Sequence, residues 1–257
     1  MYDIGLKLWS VNTGRYLDEA ARLHADGTIG YVELFVVPDS LETLPCWKRL
    51  NVPFVIHNAH AAQGFNLADA RAANANRRIY AQTKAFADAL GARFVIFHGG
   101  VDGDVQETAR QLKALEEPRA LLENKPCVPL PNDRGVRSCR GATEAEIEYV
   151  LSETGCGFCL DVGHAVCAAN SQGMEPYSYL KRLARFSPAM FHLSDVVDMH
   201  SPYDAHPHLG TGELDVPRLK RELFPSGATI SIETKKDSVD GLDDFLDDVR
   251  LLRKEER

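Results

Sequence analysis

The chain has 257 residues, 44% hydrophobic and 26% charged, the proportions of a globular protein able to bury a sizeable core. Its formal charge of −8 argues against a general electrostatic affinity for nucleic acid. No apolar run approaches the ~20 residues that span a bilayer, and the opening MYDIGLKLWS lacks a basic-then-apolar signal pattern, so a cytoplasmic protein is expected.

Strand-like and helix-like runs alternate along the chain. The first strand is expected at Ile4–Trp9, followed by a helix at Leu17–His24. The second, Tyr31–Val36, precedes a short, weakly helical gap at Ser40–Leu50, and the third, Pro53–His57, precedes a helix within Asp69–Leu90. The fourth, Phe94–His98, leads to Asp104–Leu115, where Val105 and Leu112 are among the few apolar anchors. After the fifth strand, Ala120–Glu123, comes a long connection at Cys127–Ala142. The next helix, Glu144–Ser152, has an apolar stripe at Ile147, Val150 and Leu151, with Thr143 and Glu146 as a capping box. The sixth strand, Gly157–Asp161, is paired with a helix at Tyr177–Arg185. The seventh, Ala189–His192, is separated by a long connection, Leu193–Asp215, from a helix at Val216–Leu223. The eighth, Thr229–Glu233, precedes a last helix at Leu242–Leu252. Eight βα units with no linker between them point to an α/β fold: a single (β/α)8 TIM barrel over residues 1–257, its active site at the C-terminal ends of the strands.

Six cysteines (46, 127, 139, 156, 159 and 167) show no framework spacing. Cys156 and Cys159 form CGFC, but strand positions three apart face opposite sides, so free thiols are expected rather than a redox or zinc motif.

Eight of the nine histidines sit at, or just after, the ends of these apolar runs; His24 lies in a helix. His57 follows PFVI, His98 follows ARFVIF and His192 follows AMF; Glu123 follows RALL, Glu233 follows ATISI, and Asp161 and His164 lie in CLDVGH. A DAHPH stretch carries Asp204, His206 and His208. Imidazole and carboxylate together form the ligand set of zinc, manganese or iron. A carboxylate ending an apolar run, such as Glu123 or Asp161, is costly to bury without a partner. Asp161 and His164, three apart, can face neighbouring metals; Asp204 and His206 can clip a further ion; Glu123 lies where its two oxygens could bridge two metals. His200 and His208 are expected to be loop residues.

A barrel with these strand-end motifs resembles the endonuclease IV and sugar isomerase/epimerase superfamily, the xylose isomerase-like barrels of AP endonuclease family 2. The resemblance covers almost the whole chain and is strongest from His57 to Glu233. It implies a three-zinc site with nine ligands. His57 in FVIHNAH, His98 in FVIFHGG and Glu123 in LLENKP would hold one ion. Glu123, Asp161, His192 in FHLSD and Glu233 in SIETKK would hold a second, and His164, Asp204 and His206 a third. Manganese or another divalent ion is the alternative to zinc. The implied reaction is hydrolysis of a phosphoester by a metal-activated water, with Glu123, Glu233 and His164 as catalytic residues.

The sequence departs from the nuclease in its tools for opening DNA. His60 and Ala61 stand where the nuclease has a tyrosine–leucine pair, and neither can wedge into a base stack. The loop Ser10–Arg15 is short, and VELF, with Glu33, resembles the isomerase and epimerase branch. Abasic-site DNA cleavage is therefore not expected, and a small phosphorylated or sugar substrate is favoured over nucleic acid. The alternative is a sugar or sugar-phosphate isomerase or epimerase with one divalent ion on Glu123, Asp161, His192 and Glu233, the two glutamates moving protons. His57, His98, Asp204 and His206 are demanded by three metals and unexplained by one. A non-enzymatic binding barrel would leave the crowding of ligands on one face without a reason. Arg134, Arg137 and Arg140 in the long Cys127–Ala142 loop, with Lys235 and Lys236 as weaker candidates, could bind a substrate phosphate; the alternative is a solvated loop.

Overall fold

Eight parallel strands close on one another in chain order, β1 through β8, to make a barrel. The computed structural model describes residues 2–129, 135–238 and 241–254. The strands are β1 (Asp3–Trp9), β2 (Tyr31–Phe35), β3 (Phe54–His57), β4 (Val95–His98), β5 (Ala120–Glu123), β6 (Gly157–Asp161), β7 (Met190–Leu193) and β8 (Thr229–Ile232). All eight expected strands are present, with ends shifted by a residue at most. Around them lie α1 (Arg15–Ala25), the four-residue α2 (Leu44–Trp47), α3 (Ala73–Ala89), α4 (Val105–Ala114), α5 (Glu144–Thr154), α6 (Val162–Ser171), α7 (Pro176–Ala184), α8 (Val216–Glu222) and α9 (Asp243–Arg253). No helix of the described residues is long and apolar enough to cross a membrane.

Helix α6 was not expected from the pattern. Its first eight residues, VGHAVCAA, are all buried, so it has no polar face and no helical hydrophobic rhythm to detect. It begins directly on β6: the Asp161 carboxylate accepts a hydrogen bond from the His164 backbone N–H at 2.7 Å and caps the helix. His164 therefore stands in the first helical turn rather than at a strand end. Asp104, Glu175 and Asp215 cap α4, α7 and α8 in the same way, each cap worth about 1 kcal/mol. The expected box at α5 forms in half. Thr143 accepts from the Glu146 N–H, but the Glu146 carboxylate reaches past the cap to the N–H groups of Gly141 and Ala142.

Side chains alternate in and out along each strand. One inward layer is apolar, made by Tyr31, Val55, Ile96, Leu121, Cys159 and Met190. Gly5 and Ser231 complete it on β1 and β8. The Tyr31 hydroxyl meets Ser231 Oγ at 2.9 Å, and its ring lies where a Cβ on residue 5 would come within 2.3 Å, so glycine there makes room for the ring. The other faces of the strands pack against the helices in a separate apolar cluster that includes Phe86, Phe97, Phe158 and Phe245. Cys159 belongs to the barrel interior and Cys156 packs on the outer cluster, so the two thiols of CGFC face opposite ways, and all six cysteines are free.

One residue holds the long connection after β7 in place. Asp195 is buried and its carboxylate accepts hydrogen bonds from four backbone N–H groups: Val196 at 2.8 Å, Gly210 at 2.7 Å, Gly212 at 3.1 Å and Leu214 at 2.9 Å. Gly212 comes so close that an added Cβ would lie 2.0 Å from the Val196 carbonyl oxygen. Asp195→Ala would strand several of these donors, and at about 1–3 kcal/mol for each buried orphan we expect a loss of about 3 kcal/mol or more in urea unfolding. An unchanged midpoint would show that the loop holds its shape without Asp195.

Candidate metal centre

Two residues above each member of the apolar inward layer, every strand presents a polar group on the same side: Lys7, Glu33, His57, His98, Glu123, Asp161, His192 and Glu233. Lys7, His57, His98, Glu123 and Glu233 of these line one cavity of about 1640 Å³ at the C-terminal mouth of the barrel, together with His164, Asp204 and His206, and Glu33, Asp161 and His192 are buried behind them. The nine residues expected as ligands are thus brought together.

Glu123 is the hub. Its Oε2 lies 2.9 Å from His57 Nε2, 3.1 Å from His98 Nε2 and 3.4 Å from His192 Nδ1, and its Oε1 lies 2.9 Å from His164 Nδ1. His192 Nδ1 is also 2.7 Å from Glu233 Oε1 and 3.9 Å from Asp161 Oδ2. On the far side, His164 Nε2 is 3.3 Å from Asp204 Oδ2, which is 2.5 Å from His206 Nε2. Donor atoms fall into groups whose members lie within 4.8 Å of one another: His57–His98–Glu123, Glu123–Asp161–His192 and His164–Asp204–His206. A further group joins Glu33 to His57, His192 and Glu233.

The outer contacts orient these donors. His57 donates from Nδ1 to the Asn58 carbonyl at 2.8 Å, leaving Nε2 toward Glu123. His164 Nδ1 donates to the Asn124 carbonyl at 3.0 Å, leaving Nε2 toward Asp204. His192 donates from Nε2 to Glu33 Oε2 at 3.0 Å, leaving Nδ1 toward Glu123 and Glu233. The Asn124 side chain clamps β5 to β6 through both backbone groups of Asp161. Fixing one imidazole nitrogen so that the other faces the centre is the usual arrangement behind a metal ligand. Glu123 Oε1, His192 Nδ1 and His206 Nδ1 are buried with no hydrogen bond of acceptable geometry, a costly state for polar atoms. A divalent cation satisfies such converging atoms, and the donor set suits zinc, manganese or iron.

The charges are strongly coupled. Burial alone would raise Glu123, Glu233 and Asp204; neighbouring histidines, with Lys7 beside Glu233, hold all three well below the usual carboxylate range. Burial works to lower His164, but Asp161 and Asp204 push it up to about 10. His192 is held well above its ordinary value against its burial by Cys159, Glu233, Glu33 and Glu123. Burial raises Asp161, despite His164. His98 and His60 go the other way: desolvation holds His98 well below the histidine range and His60 down to about 3.

Sequence reasoning did not place three groups here. Lys7 ion-pairs with Glu33 at 3.2 Å and contacts Glu233. Glu33 receives His192 and Ser231. The Lys125 ammonium, two residues after Glu123, lies 3.1 Å from His164 Nε2. The barrel's inward rhythm was the available signal for Lys7 and Glu33, which stand two residues beyond inward Gly5 and Tyr31.

Other expected positions divide. His60 stacks on His98 with ring centroids 5.2 Å apart and planes 7° apart, beside Phe35, so it covers the first ligand group. Trp9, 50% exposed at the rim, leans on Phe35. Lys235 lines the cavity and is exposed. Lys236 also lines it, but its ammonium donates to the Thr234 carbonyl at 2.8 Å. Arg140 is spent on tying neighbouring segments together: its guanidinium donates to the Asp102 and Gly103 carbonyls after β4 and to Glu146 of α5, and it is not part of the cavity lining. Arg137 is exposed, also away from that lining, and Arg134 lies outside the described residues. His200 is an exposed loop residue. His208 is not a solvated loop histidine: its Nδ1 lies 2.8 Å from buried Asp248, which also takes Thr234 and the Leu209 N–H.

A model of the xylose isomerase-like TIM barrel family matches residues 46–255. A probable endonuclease 4 of Mycobacterium leprae (strain Br4923) is 31% identical over 204 residues, covering 76% of this chain and 76% of its own. Among solved structures, endonuclease IV from Thermus thermophilus superposes over 98% of this chain and 97% of its own with a TM-score of 0.69 at 23% identity. A D-tagatose 3-epimerase-like protein superposes over 96% and 97% with a TM-score of 0.65 at 16% identity.

Proposed function

We propose, for a chain that belongs to the xylose isomerase-like TIM-barrel family, a divalent-metal-dependent hydrolase of endonuclease IV type that cleaves a phosphoester in a small phosphorylated substrate. One observation carries this reading: the groups His57–His98–Glu123 and His164–Asp204–His206 converge beside Glu123, Asp161, His192 and Glu233, and a mononuclear centre has no use for them. Zinc is the proposed ion, up to about three per chain, with manganese or another divalent ion as the alternative. Such ions, when bound, supply Lewis-acid charge and an acidified water for attack on phosphorus.

The chain's own residues do the rest. Glu123 ties the groups together; Asp161 and His192 are buried behind it, and His192 is held from the rear by Glu33. Glu123, Glu233 and His164 line the cavity and are the residues proposed to hold or move protons there. Lys235 at the rim is proposed to meet the substrate phosphate. DNA is not the proposed substrate, because the wedge positions carry His60, stacked against His98, and Ala61.

A second reading, sugar isomerisation or epimerisation, is favoured by Lys125. Its ammonium already sits on the His164 nitrogen that a third ion would use. With that group closed, Glu123, Asp161, His192 and Glu233 remain as a mononuclear set with a glutamate pair. Metal content and turnover of bis(4-nitrophenyl) phosphate, measured on one preparation, separate the two. We expect about three equivalents and measurable hydrolysis. About one equivalent, with ketose epimerisation and no phosphodiester turnover, would establish the second reading.

A further inference from the structure

Lys7 is the cation at the cavity floor that neither reading uses. It stands on the inward face of β1, in register with Glu33 on β2. Its ammonium faces two carboxylates, Glu33 Oε1 at 3.2 Å and Glu233 Oε1 in direct contact. Glu33 is itself pinned from behind, by His192 Nε2 and by Ser231 Oγ. An ammonium has three donors, and the hydrogen bond to Glu233 with the ion pair to Glu33 leaves at least one. The side chain keeps 15% exposure and lines the cavity beside His57 and Glu233, so the remaining donor has the cavity as its outlet.

Stability alone is a weak reason for this arrangement. Burying an ammonium among carboxylates costs desolvation, and apolar replacements for such clusters are often neutral or better. The other lysines of the lining are differently placed. Lys125 is engaged with His164 and Lys236 with the Thr234 carbonyl, and Lys235 is out at the rim. Lys7 alone among these is fixed by two carboxylates at the base of the site.

We propose that Lys7 is a substrate-contacting residue whose ammonium takes an anionic oxygen of a phosphate group at the cavity floor, with Glu33 as its positioning residue. The phosphate identity rests on the hydrolase reading. Inorganic phosphate is the probe, titrated calorimetrically into the zinc-loaded protein with zinc content measured on the same sample. Lys7→Met keeps the stem and removes the charge. It is expected to weaken phosphate binding about tenfold or more, the usual cost of a charged hydrogen bond, with zinc content unchanged. Lys7→Arg should stay within about threefold of the original affinity. Should Lys7→Met fail to fold, Lys7→Gln, which can still hydrogen-bond a glutamate, carries the same comparison. An affinity for phosphate equal to that of the unsubstituted protein would overturn the proposal. So would loss of zinc from the variant, which would make Lys7 a support for Glu233, or absence of phosphate binding by the unsubstituted protein. Lys7-dependent phosphate binding without phosphodiester turnover would sink the hydrolase reading and leave this one standing.

Discussion

Glu123→Gln is expected to dismantle the centre. The carboxylate lies within 3.4 Å of nitrogens from four histidines on four different elements: His57, His98, His164 and His192. An amide of the same shape loses the negative charge and one of the two acceptor oxygens. Replacing outer partners of metal ligands costs about 10–100-fold in affinity or activity; a group shared between ligand sets should exceed the upper end of that range. We expect zinc affinity, measured by chelator competition, to fall by more than about 10²-fold, and phosphoester turnover to fall with it. The variant also removes one of the three carboxylates that hold His192 charged in a buried site, which costs stability as well as metal. Metal content and turnover close to those of the unsubstituted protein would mean that Glu123 is not the hub its contacts make it.

Metal affinity should climb steeply with pH, and the sign follows from the histidines. Without a cation, protons hold His164 and His192 in place. His164 is raised from 6.5 to about 10, and its contribution to stability is fully present below about 6.5 and lost as pH rises through about 10. His192 is raised in the same direction. Glu123, Glu233 and Asp204 are depressed, so theirs is present above the ordinary carboxylate range and lost as pH falls through their folded values. Chelator-treated protein should therefore be most stable between about 4.5 and 6.5. A metal must displace the proton from each raised histidine, so apparent affinity should rise about tenfold per pH unit for every proton released. His98 and His60 are held neutral by burial and release none. Zinc competition at pH 7 and pH 9, with calorimetry in buffers of different ionisation enthalpy, reads both quantities. A pH-independent affinity would show that His164 and His192 are not the nitrogens the metal takes.

Much of this centre was legible in the sequence because its residues obey a local rule. His57, His98, Glu123 and Asp161 each end a continuous apolar run buried on both faces, and parallel strands carry such ends to one face. Where the local rule failed, a longer-range cause took over. Helix α6 was hidden because burial on every side erased its periodicity. Arg140 and Lys235 look alike in sequence, as cations near the site. Only the tertiary structure turned Arg140 onto Glu146 and two carbonyls and left Lys235 at the rim. Asp195, three residues beyond His192, carried no signal of its own; its four backbone donors come from as far as Leu214.

The sequence by itself determined the eight-unit barrel and the identity of its ligand-type residues, since strand period, burial and chain order are local properties that parallel closure makes global. Tertiary structure decided which donors meet. It placed Lys7 between Glu33 and Glu233, Lys125 against His164, and Glu123 at the meeting point of four histidines. Those contacts join residues up to 226 positions apart, and their charges and protonation depend on distances of a few ångströms that only the closed barrel sets.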